Sequence, residues 1–171
     1  MDTLHGQEAR DKVWDLIKDI KVAQMGTWNN QTHVAHARPM MAQHVKDSEF
    51  DGVLWFFTNA ASRKADEIED SAQVLLAYAD PGAQKYVSLS GTANIVQDRA
   101  KIDELWTEAA GAWFPKGKDD PNVALIRFEA EDAEFWEVPG GTLAAGFGYL
   151  KAMVTGGTPD VGESGKVHLT H

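Results

Sequence analysis

The chain has 171 residues, with 16 Lys and Arg against 26 Asp and Glu, a formal net charge of −10 and a 43% hydrophobic composition. That length suits one domain, and the balance of apolar and charged residues is that of a soluble globular protein, not a disordered or fibrous one. The negative charge opposes nucleic acid or an anionic membrane as the main partner, and the absence of cysteine excludes disulfides, thiolate metal sites and cysteine nucleophiles.

The start, Met1-Asp2-Thr3-Leu4-His5, has neither the basic nor the apolar segment of a signal peptide. No apolar run approaches the roughly 18 residues of a membrane helix, so a cytoplasmic location is expected. Val13, Leu16, Ile17 and Ile20 fall at helical spacing, with Asp11, Lys12, Asp15, Lys18 and Asp19 on the other face, which predicts an amphipathic helix. The period then changes. Residues 22–28 and 32–42 read as two strands around Asn29-Asn30, with Pro39 marking an edge or bend because it lacks a ladder N–H. The run Val53 to Thr58 predicts a buried, aromatic-rich strand, and Ser62 is a helix cap for the residues that follow. Strands are expected at 74–79 and 86–96 around the turn Asp80-Pro81-Gly82, with a bulge at Gly91. One helix is expected over 99–110, then strands at 123–128 and 133–138.

From Pro139 onward glycine becomes frequent. The expected organisation is a single domain over 1–155 and a Gly-rich C-terminal tail over 156–171, the segment from Pro139 onward either wrapping the domain or being partly disordered. The elements together predict an α+β, mainly β fold with a largely antiparallel, barrel-like sheet. All of the excess acid lies between residues 65 and 138, while the first 64 residues hold eight acidic and eight basic side chains.

Two stretches carry candidate chemistry. In Phe57-Thr58-Asn59-Ala60-Ala61-Ser62-Arg63-Lys64 a buried strand runs into a helix start, where free N–H groups and the dipole favour an anion. There Arg63 offers a bidentate clamp and Lys64 a point charge; a solvated Arg-Lys pair is the plainer alternative. In His36-Ala37-Arg38-Pro39-Met40, Arg38 stands beside the proline irregularity. With Glu134-Phe135-Trp136 further on, these stretches resemble the FMN-binding split-barrel proteins related to pyridoxamine 5'-phosphate oxidase. Ala77-Tyr78-Ala79-Asp80-Pro81, Tyr86-Val87-Ser88-Leu89-Ser90-Gly91 and Ala112-Trp113-Phe114-Pro115 are similar to its general stress protein 26 branch. The resemblance covers roughly residues 8 to 155.

It implies a six-stranded antiparallel split β-barrel with flanking helices, and a homodimer with FMN, or alternatively FAD, at the subunit interface. Arg38, Pro39 and Met40 would then lie along the isoalloxazine and ribityl chain, and Phe57 and Thr58 against the flavin. Ser62, Arg63 and Lys64 would hold the phosphate, and Trp136 and Trp113 would approach from the partner. Trp14, Trp28, Trp55 and Trp106 are assigned to core or dimer packing. The oxidases proper carry Gln and Arg where this chain has Tyr86 and Ser88. They also end in an Arg-rich segment, in place of which Val138-Pro139-Gly140-Gly141 and Lys166-Val167-His168 stand here. The resemblance thus extends to the flavin and not to the pyridoxamine phosphate site. A stress-associated flavin-dependent oxidoreductase is the first reading, and a non-catalytic flavin buffer or sensor the alternative.

Other features point less far. His33, His36 and His44 are clustered without carboxylates at ligand spacing, so no metal site is expected; one of them as a haem ligand is a third reading. Ser88 and Ser90 lack triad partners. The acidic run from Glu129 to Glu137 reads as a solvated face, and Gly140-Gly141 and Gly146-x-Gly148 lack the context of a dinucleotide fingerprint.

Overall fold

The computed structural model describes residues 6–43, 49–138, 153 and 162–169. Helix α1 (Gly6–Ile17) buries Ala9 with Val13, Leu16 and Ile17 of the stripe read from the sequence, while Ile20 lies beyond its end and is half-buried. Strands β1 (Val22–Asn29) and β2 (Val34–Met41) form an antiparallel hairpin from Val22 opposite Met41 to Asn29 opposite Val34. Its turn is held by Asn29, whose Oδ1 accepts from the N–H groups of Gln31 and Thr32. β4 (Gln73–Asp80) and β5 (Lys85–Val96) form a second hairpin, in whose turn Asp80 Oδ1 accepts from the Ala83 N–H. Both loops thus use a short acceptor side chain to replace backbone pairing.

β3 (Val53–Asn59), α2 (Arg63–Asp70), α3 (Arg99–Leu105), α4 (Glu108–Trp113), β6 (Val123–Glu137) and β7 (Glu163–His168) complete the described elements. The sheet order is β2-β1-β4-β5-β6-β3, all antiparallel, with β7 also on β6. An isolated bridge between Gln43 and Trp55 joins the β2 end of the sheet to β3. The sheet therefore curls towards closure without a full ladder at that seam, a mainly β split barrel.

Three elements differ from expectation. The helix expected over 99–110 is two helices, because Thr107 leaves the helical conformation and caps α4, its Oγ1 accepting from the Ala110 N–H. The strands expected at 123–128 and 133–138 are one continuous strand, since the ladder to β5 runs on through the acidic residues between them, past a register shift at Ser90/Gly91, with Ala130 and Ala133 buried. The sheet has seven strands among the described residues, not the six that the resemblance implies, because residues 163–168 pair with β6. There Val167 turns into the core, while Lys166 and His168 meet Glu134 and Asp132 across the ladder. Gly165 lies over the Phe135 ring, where a Cβ would come within 2.6 Å of the ring edge. β7 and β3 sit end to end along the same edge of β6.

The main core lies inside the curled sheet, with Met25, Leu54, Phe56, Leu76, Leu89, Ile126 and Phe128 all at or near zero exposure. Each such side chain contributes about 1.5–3 kcal/mol on burial. A smaller cluster beneath α3 and α4 gathers Ile102, Leu105, Val123 and Leu125, with Trp55, Phe57, Trp106 and Phe114 against it. Trp14 stacks on Phe50 at 5.6 Å, whereas Trp28 is partly exposed beside His33.

Candidate functional site

A cavity of about 540 Å³ opens between β2, the end of β3, the first turn of α2 and helix α4. Such a volume is within the roughly 300–1,000 Å³ usual for small-molecule sites. Its wall includes Arg38, Pro39, Met40, Phe57, Thr58, Lys64 and Trp113. The remaining wall is Val22, Met41, Gln43, Asn59, Ala109, Ala110 and Phe114. β2 contributes by being an edge strand ending in a proline-containing segment, and β3 by delivering Phe57 and Thr58 to the helix start. Trp113, 84% exposed, lines this cavity from its own chain through α4.

Ser62, Arg63 and Trp136 do not line the cavity. Ser62 caps α2, its Oγ accepting from the Ala65 N–H at 3.2 Å. Arg63 is largely solvent-exposed and leans back along α2, its Nε 3.7 Å from Glu67 Oε1. Trp136 is exposed on β6, opposite Tyr86 of β5.

Lys64 is the distinctive group. Its Nζ lies 3.5 Å from the Met40 sulfur, a weak acceptor, and no carboxylate among the described residues is within ion-pair distance of it. Burial, and then the positive charge of Arg38, hold its ammonium below the ordinary lysine value. A half-buried cation beside another cation on an apolar wall is a site for an anion, because burial and like charge both disfavour it when unpaired.

Behind the cavity wall stands a polar cluster. Glu67 is 3% exposed, and its Oε2 accepts from Thr27 Oγ1 at 2.6 Å and from Arg38 Nη2 at 3.3 Å. Arg38 Nη1 also donates to Thr27 Oγ1 at 2.6 Å. On the other carboxylate oxygen, Asn29 Nδ2 donates at 3.4 Å and His36 Nδ1 lies at 3.0 Å. Burial pushes the Glu67 carboxyl up, but the hydrogen bonds from Thr27, Asn29 and Arg38, with His36 beside it, outweigh this and leave it below its ordinary value.

A carboxyl lowered by folding stabilises the protein above its unfolded value, and that stability is lost as the pH falls through the folded one. For Glu67 the loss begins below about 4.5. Urea unfolding at pH 7 and pH 3 is therefore expected to show the gap between wild type and Glu67→Gln shrinking on acidification. A gap that widens would contradict it.

Glu67, Thr27 and Asn29 were not found from the sequence, although Thr27 occupies an inward parity position after Ala23 and Met25. Glu67 lies between Ala65 and Ile68 on the buried side of α2. A polar residue at a core position was the available signal. His33 sits in the β1–β2 turn, and neither it nor His36 lines the cavity. His44, Gly140-Gly141 and Gly146-x-Gly148 lie outside the described residues. No three His, Asp or Glu side chains converge at metal-ligand spacing among the described residues, and no described helix is long and apolar enough to cross a membrane.

Residues 8–160 match the family described as pyridoxamine 5'-phosphate oxidase like. General stress protein 26 of Bacillus subtilis is 32% identical over 133 residues, 75% of this chain and 89% of that protein. A general stress protein 26 structure from Jannaschia sp. CCS1 superposes with a TM-score of 0.72 at 28% identity, covering 94% of this chain and 98% of that one. The general stress FMN/FAD binding protein of the phytopathogen Xanthomonas citri superposes with a TM-score of 0.65 at 31% identity, covering 77% of this chain and 90% of its own. With the superposed fold and the sequence agreeing along most of its length, the chain belongs to the pyridoxamine 5'-phosphate oxidase-like family, on the side of general stress protein 26.

Proposed function

We propose that this chain is a flavin-binding protein, with FMN as ligand and the cavity beside α2 as its site, acting as a flavin-dependent oxidoreductase. The observation that carries the reading is Lys64, a half-buried ammonium with no carboxylate partner among the described residues, at one side of an apolar, aromatic-lined cavity. A flavin phosphate supplies the counter-charge that Lys64 has from no carboxylate among the described residues, and a flat ring suits the Phe57, Phe114 and Trp113 walls. The similarity to a protein described as FMN/FAD binding supports the same ligand class.

Within this reading Lys64 and Arg38 hold the phosphate, with Arg63 and the Ser62 hydroxyl at its outer side. Met40, Pro39, Phe57 and Thr58 orient the ring and its chain. A bound flavin supplies hydride or single-electron transfer at its ring. The cavity wall holds no carboxylate, histidine or thiol among its described residues, so the protein's part is to bind, orient and exclude water. A second copy covers the exposed sheet face bearing Val22, Met41, Leu75, Tyr86 and Trp136, and brings its Trp136 to the site. The same wall fits the second reading, a flavin store without turnover, since it offers no proton-transfer group.

FMN added to ligand-free protein is expected to lose fluorescence on binding and to raise the melting temperature. At a hundredfold excess over Kd the stabilisation is about 2.7 kcal/mol, or roughly 5–11 °C for a chain of this size. Neither change at millimolar FMN would remove the proposal. Sustained oxidation of NADH or NADPH with an added acceptor separates an oxidoreductase from a store.

A further inference from the structure

Besides the tyrosine Tyr78, the polar side chains buried among the described residues are Thr27, Thr58 and Glu67. Two of them close a hydrogen-bonded triangle on the guanidinium of Arg38. Arg38 Nη1 donates to Thr27 Oγ1 at 2.6 Å, Arg38 Nη2 donates to Glu67 Oε2 at 3.3 Å, and the Thr27 hydroxyl donates to the same Glu67 oxygen at 2.6 Å. Apolar residues at these places would remove the desolvation cost of a buried ion pair, and such replacements are often neutral or stabilising. A triangle retained on a side chain of the cavity wall therefore has a use besides packing.

We infer that Thr27 and Glu67 are positioning residues that fix Arg38 at the anion end of the cavity beside Lys64, and so set its preference for a phosphorylated ligand. This rests on the flavin reading above. Arginine carries about 2 kcal/mol of rotamer entropy that a contact must overcome. Two fixed partners remove that cost before the ligand arrives, which is how preorganisation raises affinity. Glu67 does this without reaching the cavity, and the three further groups around it, Asn29, His36 and Arg63, keep its carboxylate in place.

The test compares FMN with riboflavin, which has the same ring and lacks the phosphate, by fluorescence titration. Thr27→Val conserves shape and charge, and Glu67→Gln conserves shape. Each is expected to weaken FMN about tenfold, the scale of one misplaced charge-assisted hydrogen bond, with riboflavin affinity unchanged. An unchanged FMN-to-riboflavin affinity ratio in Thr27→Val, whether both ligands bind as in the wild type or both weaken equally, overturns the inference alone. Tighter FMN binding by Glu67→Gln also overturns it, since Glu67 would then act only as a competing charge. A wild-type protein that binds FMN no better than riboflavin overturns the phosphate reading itself, and this inference with it.

Discussion

Lys64→Met is expected to weaken FMN binding at least tenfold, to leave riboflavin binding unchanged and to raise, not lower, the melting temperature of the ligand-free protein. The opposite signs follow from one feature. The ammonium has no carboxylate partner among the described residues and is held below its ordinary value, first by burial and then by Arg38. A lysine whose folded value is lowered destabilises the fold while it is charged, and the penalty is relieved as the pH rises through that lowered value. Methionine keeps the unbranched stem, extends the apolar wall beside Met40 and removes the charge. The same removal costs the ligand a charge-assisted contact of about 1.5–3 kcal/mol, or roughly 10–150-fold in affinity. Isothermal titration with each flavin, together with a thermal melt without ligand, reads all three effects. A melting temperature that falls, or equal losses of FMN and riboflavin, would show that Lys64 serves the fold and not an anion.

Gly91→Val is expected to have the largest effect on stability. The β5–β6 register shifts between Ser90 and Gly91, so that Ser90 faces Asp132 and Gly91 faces Ala130. The slip brings the β6 backbone so close that a Cβ on Gly91 would collide with the Glu129 carbonyl oxygen and press on the Phe128 ring. No flexible side-chain end is available to yield, and the two strands must part at the centre of the sheet. Overpacking of this kind costs about 3 kcal/mol or more, a fall of roughly 6–12 °C in melting temperature for a chain of this length. Gly91→Ala is expected to have most of the effect, because the first carbon makes the collision. A near-neutral Ala variant would mean that β6 relaxes freely at the bulge.

That bulge also marks how far sequence reading reached. A glycine within an alternating run signals a local irregularity, and it stands where the register slips. The hairpin turns at Asn29 and Asp80, the α1 stripe and the Ser62 cap were legible for the same reason, since each depends on residues within a few positions of one another. The joined strand β6 was not legible. Its acidic run breaks the hydrophobic pattern, and only the neighbouring ladders of β5, β3 and β7 keep the backbone extended through it. The break at Thr107 was missed because Ile102, Leu105 and Trp106 are compatible with one continuous helix; the cap is chosen by the turn that packs α4 beside the cavity.

The site divides in the same way. Arg38, Phe57, Thr58 and Lys64 stood out in the sequence because a cation beside a proline, and a strand ending at a helix start, are local patterns with a chemical meaning. The sequence by itself thus determined a mainly antiparallel β protein of this family and one cationic stretch suited to an anion. Only the tertiary structure decided which cations face the cavity. Arg63 and Lys64 are adjacent in the chain, yet the helical rotation between neighbours turns Lys64 to the cavity and Arg63 towards Glu67 and solvent. Thr27, Arg38 and Glu67 lie on three different elements, and no spacing rule links them. They meet because the sheet curls β1 and β2 over α2, and burial there obliges each polar atom to find a partner.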